Sequence, residues 1–231
     1  AKILLGDFQS AGLNSGDQVI VSVGSNINFV TCFWAALLGG IIPVPVSIGN
    51  NDEHKAKLLR IMSQFDNVKL VTEEDYLKRL IYFQNQQQIK LTNPLSDNSI
   101  IMGDSLGVEG DLIDIDPDRT AFIQYSSGST SDPKGVCLTH NNLTANIKAI
   151  VDGAAWIDED VSLSWMPLTH DMGLIGYHLS TMAAGMNQSL METSLFVRRP
   201  LLWLKLATKL KATQLCSPNF GYRHFLKMFY H

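Results

Sequence analysis

The sequence predicts an α/β protein, with stacked and mostly parallel sheets flanked by helices. Three observations predict it. Strand-like and helix-like segments alternate along the chain, the pattern of parallel strands joined by helical crossovers. The stretch 29–48, twenty residues without a charge, is punctuated by Gly39-Gly40 and then by Pro43 and Pro45, which forbid one continuous helix and turn a membrane-like stretch into buried helix, turn and buried strand. A Ser/Gly-rich run at 125–135 lies between two closely spaced strands, where a domain linker would be out of place. With 231 residues, 45% of them hydrophobic and 17% charged, the chain can bury a sizeable core as one large domain or two coupled lobes.

The elements follow in order. "DQVIVSV" (17–23) reads as a strand, 26–39 as an apolar helix, and "IIPVPVS" (41–47) as a strand whose prolines suit an edge or an end. Residues 51–65 form an amphipathic helix with Leu58, Met62 and Phe65 on one stripe, followed by a strand at 68–72 and a helix at 73–88. A long polar connection from 93 to 117 holds one strand at "SIIMG". Strands at 120–125 and 135–140 come next, then a helix at 141–156 capped by Asn141. The remainder reads as a strand at 161–167, a helix from about Asp171, a short strand at "SLMET", a helix at 199–211 with Pro200 in its first turn, a strand at "ATQLCSPN" and a final helix. The expected organisation is a first α/β subdomain over 1–157 and the start of a second over 158–231.

Composition excludes several functions. A net charge of −4 argues against non-specific nucleic-acid binding, and no run of like charge marks a polybasic patch. Cys32, Cys137 and Cys216 are far apart and odd in number, which fits neither a disulfide framework nor a zinc site and points to a reducing, cytoplasmic setting. The first residues carry too short an apolar core for a secretory signal. His54, His140, His178, His224 and His231 form no ligand cluster, no metal site is expected, and Trp34, Trp156, Trp165 and Trp203 read as packing.

Chemistry concentrates in two places. "YSSGSTSDPKG" (125–135) holds four serines, a threonine, two glycines and one lysine. Ser126, Ser127, Ser129 and Thr130 offer hydroxyl donors, Gly128 and Gly135 allow close backbone approach, and Lys134 supplies charge, a composition suited to phosphate. The spacing is not that of a Walker A loop, and a strand rather than a helix follows. Composition alone leaves a phosphate loop and a bland surface turn both open. The second place is "SWMPLTHDMGLIG" (164–176), where a strand ends at Pro167, a short loop carries Thr169 and His170, and Asp171 stands in the first turn of a helix as a capping or structural residue. Gly173 and Gly176 keep one helix face narrow beside Met172, Leu174 and Ile175; read without relatives, this face suits core more than a surface for an acyl chain, and both readings stand.

"YSSGSTSDPKG" resembles the phosphate-binding signature of the adenylate-forming enzymes, a long and ordered motif, and the resemblance runs over nearly the whole chain. "SWMPLTHDMGLIG" is similar to the fatty acyl-AMP ligase branch, and "WAALLGGIIPVPVSIGNNDEHKAKLLRI" to acyl-ligase domains that load lipopeptide and hybrid polyketide–peptide synthases. The resemblance implies a fragment of the large N-terminal domain of such an enzyme. It implies ATP phosphates held by Ser126, Ser127, Gly128, Ser129, Thr130, Ser131, Lys134 and Gly135, and an acyl pocket walled by His170, Met172, Gly173 and Phe220. One position departs: Ser131 stands where the family most often has glycine, and a positive φ there would cost about 1–2 kcal/mol.

The reaction implied joins a fatty acid to ATP as acyl-AMP with loss of pyrophosphate, then passes the acyl group to the phosphopantetheine thiol of an acyl carrier protein. Mg²⁺ would assist, with its ligands mostly outside this stretch. The family's adenine-binding motif, ribose-binding aspartate and small C-terminal domain with its catalytic lysine are not found here. No catalytic residue is therefore assigned, the stretch alone is expected to be nearly inactive, and self-association through 195–231 is expected. Two alternatives stand beside this: transfer to coenzyme A, and a non-catalytic nucleotide-binding module.

Overall fold

The computed structural model describes residues 1–49, 51–125 and 133–229. They form two compact units, Ala1–His140 and Asn141–His231, so the division falls at the end of a hairpin, whereas the sequence reading draws it at 157.

In the first unit a four-stranded parallel sheet runs in the order β2-β1-β3-β4, with β1 (Gln18–Val21) between β2 (Ile42–Pro45) and β3 (Lys69–Thr72), and β4 (Ser99–Ile101) beyond β3. The register pairs Gln18 with Ile42, Val19 with Lys69 and Leu70 with Ser99. The two prolines of β2 fit because the strand is an edge. Ile42 N–H donates to Asp17 O at 2.8 Å and Val46 N–H to Val21 O at 3.0 Å. The alternation of a strand turns the nitrogens of Pro43 and Pro45 away from β1, where no ladder bond is lost.

Helix α2 (Asn26–Leu38) starts where Ser25 accepts the Asn28 N–H and stops at Gly39-Gly40, Gly40 having φ +63°. It buries Phe29, Cys32, Phe33, Ala35, Ala36 and Leu37, so the apolar run is core. Among the described residues no helix is long and apolar enough to cross a membrane. Helix α3 (Asp52–Met62) carries the amphipathic stripe that the sequence shows, and α4 (Glu74–Gln86) follows where a helix is expected. Leu58, Met62, Leu80 and Phe83 pack with Ile20 and Leu70 of the sheet in one cluster.

The long polar connection is more ordered than its composition suggests. Helix α1 (Lys2–Ser10) holds it like a strap. Buried Asp7 accepts the Leu106 N–H at 2.9 Å, and Gln9 both donates to Asp111 O at 2.9 Å and accepts from Asp111 N–H at 2.8 Å. The strap lies so close that a Cβ on Gly6 would stand 2.1 Å from Val108 O. Finally β5 (Thr120–Tyr125) and β6 (Gly135–Thr139) form an antiparallel hairpin, with β5 packed against β2 and Phe122 edge-on to Phe33.

Around this hairpin's exit the sequence reading needs one correction. Helix α5 (His140–Ala154) begins at His140, so Asn141 lies in its first turn and is not its cap.

In the second unit β7 (Val161–Ser164) is central in a parallel three-stranded sheet, β8-β7-β9, between β8 (Asn187–Leu190) and β9 (Gln214–Leu215). The helix expected from Asp171 is a π-helix over Met172–Leu179, continued by α6 (Ser180–Ala183). The helix expected at 199–211 is α8 (Leu201–Leu210), and a further helix that the sequence reading did not give, α7 (Thr193–Arg198), precedes it. Arg199, at φ −140° and ψ 64°, separates them, because a residue before proline is pushed out of the helical region. The short strand ends at Leu190 and not at Thr193, whose hydroxyl instead donates to Trp165 O at 2.9 Å. The core gathers Leu163, Trp165, Met166, Phe196 and Trp203. Trp165 stacks on Phe196 with ring centroids 3.8 Å apart and 5° between planes. Helix α9 (Asn219–Phe229) closes the unit and leaves Phe220, Tyr222, Leu226, Met228 and Phe229 exposed.

Candidate functional site

In the first unit the β5–β6 hairpin presents the Ser/Thr/Gly/Lys run. Its register pairs Ile123 with Cys137 and Tyr125 with Gly135, so the run leaves and re-enters the ladder at one fixed point. Ser126, Ser127, Gly128, Ser129, Thr130 and Ser131 lie outside the described residues. Lys134 is exposed. A Cβ on Gly135 would come 2.8 Å from Ile123 Cγ2 and 3.1 Å from the Tyr125 ring, so glycine at this position has a packing reason within the hairpin itself.

Two residues at the foot of the hairpin carry contacts that the sequence reading did not single out. The Tyr125 hydroxyl donates to Gln64 Oε1 at 2.6 Å, and Gln64 Nε2 donates to Pro133 O at 3.0 Å. Burial, and then Cys137, push the Tyr125 phenol up, so it remains a donor. Tyr125 opens the motif and was visible as such. Gln64 has no sequence signal, because its partners lie far along the chain.

Elsewhere in this unit Glu73, at the end of β3, accepts the Gly24 N–H at 2.8 Å and ties the ends of β1 and β3 together. Burial, and then Glu73, push the Cys32 thiol up to about 12, which leaves it unreactive. Among the described residues no three His, Cys, Asp or Glu side chains stand together as metal ligands.

In the second unit the residues expected to wall an acyl pocket divide. His170, Met172 and Gly173 follow one another where the chain leaves β7. The side chain of His170 is 56% exposed and Met172 is 37% exposed, while Gly173 is buried. Gly173 is required for packing: a Cβ there would stand 2.2 Å from Pro167 O and 2.9 Å from Met166 O. At Gly176 the nearest atom would be Met172 Cγ at 3.9 Å, an ordinary contact, so only the first of the two glycines is needed for close approach. Asp171 accepts the Met172 N–H at 2.7 Å and meets His170 Nδ1 at 2.6 Å, which makes it the cap of the π-helix. Phe220 opens α9 after β9, 64% exposed, with its ring edge-on to Trp165 at 6.0 Å. Phe220 and the Trp165–Asp171 stretch thus follow the carboxyl ends of neighbouring parallel strands, where open α/β sheets bind ligands.

The π-helix also carries a titrating group. His178 is 3% exposed and pairs with Gln188 Oε1 at 2.8 Å. Burial lowers its pKa and the Gln188 bond offsets part of that. A depressed folded-state value favours the neutral ring. The stability it contributes is complete above the ordinary value of 6.5 and is lost as pH falls through and below it. His178→Asn is therefore expected to flatten the fall in thermal midpoint on acidification below pH 6.5. Parallel curves for the two proteins would remove His178 from the account.

A parallel sheet with an antiparallel hairpin that ends in exposed Lys134 and Gly135 in one unit, and a second parallel sheet with side chains gathered beyond its carboxyl edge in the other, define an α/β protein. The chain belongs to the AMP-binding enzyme family, whose sequence profile matches residues 7–230. It is 32% identical over 227 residues to a putative acyl-CoA synthetase of Caulobacter vibrioides, covering 96% of this chain and 39% of that protein. A medium-chain-fatty-acid–[acyl-carrier-protein] ligase of Teredinibacter turnerae is 28% identical, with 89% of this chain and 38% of that protein covered. Among solved structures, a fatty acid AMP ligase from Legionella pneumophila superposes with a TM-score of 0.82 at 30% identity, over 96% of this chain and 38% of the other. The chain thus spans about two fifths of the length of the relatives it matches.

Proposed function

We propose that this chain is the phosphate-holding part of an enzyme that activates a fatty acid as acyl-AMP and delivers the acyl group to an acyl carrier protein. In the first step a carboxylate oxygen attacks the α-phosphorus of ATP, the bond to the β-phosphate breaks, and pyrophosphate leaves. In the second, the phosphopantetheine sulfur attacks the acyl carbonyl and AMP leaves. The hairpin supports this reading: paired Tyr125 and Gly135 return the Ser/Thr run to one point, and exposed Lys134 stands beside it as the cation for the phosphates. Ser126, Ser127, Gly128, Ser129, Thr130, Ser131 and Gly135 belong to the same assignment. Mg²⁺ would neutralise phosphate charge, and no step is assigned to the described residues through it. His170, Met172, Gly173 and Phe220 are read as walls of the acyl pocket, which their position beyond β7 and β9 supports.

The boundary between two subdomains at 157, and a cytoplasmic location, belong to the same reading. The carrier-protein acceptor is favoured by relatives whose names state it. Coenzyme A is the second reading, supported by the name of the Caulobacter relative. Fatty-acid-dependent exchange of labelled pyrophosphate into ATP by the complete protein tests the first step; no exchange would refute it. Comparing carrier protein with coenzyme A as acceptor orders the other two.

Self-association through 195–231 is supported by the exposed apolar side chains of α9. A concentration-dependent mass is expected in light scattering. A monodisperse monomer would refute it.

A further inference from the structure

Gln64 joins both stems of the hairpin through one side-chain amide. Its oxygen accepts from the Tyr125 hydroxyl at 2.6 Å and its nitrogen donates to Pro133 O at 3.0 Å. Tyr125 is the last residue of β5, and Pro133 comes just before Lys134 and the start of β6 at Gly135. Because the amide is planar and rigid, these two bonds set the distance between the stems. The β-ladder ends at Tyr125 and Gly135, so nothing in the ladder itself fixes Pro133 or Lys134.

The anchor behind the amide is firm. Gln64 N–H donates to Ile61 O at 3.1 Å in the turn that ends α3, and Ile61 and Met62 are buried in the sheet–helix core. Gln64 is itself exposed, so core packing does not explain why a polar amide stands there. The Tyr125 phenol, pushed up by burial, keeps its proton for the bond.

We infer that Gln64 is a positioning residue for the phosphate-holding hairpin: it clamps Tyr125 to Pro133 and thereby fixes where Lys134 is presented. It touches no substrate and acts only through those two residues. The inference rests on the phosphate-loop reading above and deepens it, by tying nucleotide affinity to a residue outside the Ser/Gly run.

The test is steady-state pyrophosphate exchange by the complete protein. Gln64→Leu keeps the size of the side chain and removes both bonds. It is expected to raise the KM for ATP about tenfold, from two hydrogen bonds of ordinary net worth, with the KM for fatty acid unchanged and the thermal midpoint lowered by only a few degrees. Tyr125→Phe removes one bond and should raise the ATP KM roughly threefold. Combined with Gln64→Leu it should add nothing, because the bond is already gone.

An exchanging wild type with an unaltered ATP KM in Gln64→Leu overturns the inference and leaves the phosphate reading standing. A lowered midpoint with unaltered ATP KM overturns it too, since the amide would then be a structural contact only. If Gln64→Leu does not fold, Tyr125→Phe decides: an unchanged ATP KM overturns, a selective rise supports. A wild type that neither exchanges pyrophosphate nor binds ATP in calorimetry removes both the reading and the inference.

Discussion

Lys134→Ala is expected to reduce fatty-acid-dependent pyrophosphate exchange by the complete protein roughly ten- to hundredfold at subsaturating ATP. A hydrogen bond to a charged group contributes about 1.5–3 kcal/mol, and Lys134 is the one ammonium in the 125–135 run. The loss should fall mainly on the KM for ATP, because the side chain is assigned to phosphates that are charged before and after the reaction. Lys134→Arg should recover part of it, since charge is kept while the shape of the donor group changes. The exposure of Lys134 makes the variant clean: no core contact is lost, so folding is expected to be unaffected. Exchange at the wild-type rate in Lys134→Ala would refute the assignment. ATP binding without any exchange by the wild type would favour the non-catalytic nucleotide-binding module.

Trp165→Ala is expected to destabilise the second unit by about 3–5 kcal/mol, the range for deleting a large buried aromatic. Trp165 is 2% exposed and stacks on Phe196 at 3.8 Å, with Trp203 edge-on at 6.5 Å and Phe220 at 6.0 Å. The neighbours cannot easily collapse into the hole. The chain after β7 is fixed by Thr193 bonding Trp165 O, and Gly221 packs so closely that a Cβ would stand 2.6 Å from Trp165 Cζ2. Trp165→Phe should cost less than half as much, since a ring remains against Phe196. Denaturant unfolding of the complete protein checks both, and a loss below about 1 kcal/mol for the alanine variant would show that the aromatic stack is not what holds this unit. The same substitution should also disturb Phe220, whose ring packs edge-on to Trp165, and the Pro167–Asp171 stretch that follows it in the chain. Impaired use of fatty acid with unimpaired ATP binding would support the acyl-pocket assignment.

Much of the architecture was legible because its causes are local. The breakers at Gly39-Gly40, Pro43 and Pro45 turn an apolar run into a helix and an edge strand, and the stripe of α3 faces the core as its spacing predicts. Lys134 and Gly135 could be placed at a strand junction for the same reason. Boundaries that depend on distant contacts were not legible. Thr193 bonds Trp165 O and is drawn out of a strand, a short helix over Thr193–Arg198 forms ahead of the expected one, and a polar connection becomes ordered because Asp7 and Gln9 bind its backbone.

By itself, then, the amino-acid order determined the alternation of strand and helix, the interruption of the uncharged run, and the location of the Ser/Gly/Lys segment between paired strands. These follow from backbone preference and periodicity, which act over a few residues. Only the tertiary structure decided that Gly173 must be glycine beneath Pro167, that the helix there is wide, and that Gln64 meets both stems of the hairpin. Those features arise where segments remote in sequence come within van der Waals or hydrogen-bonding distance, and short-range preferences carry no record of such meetings.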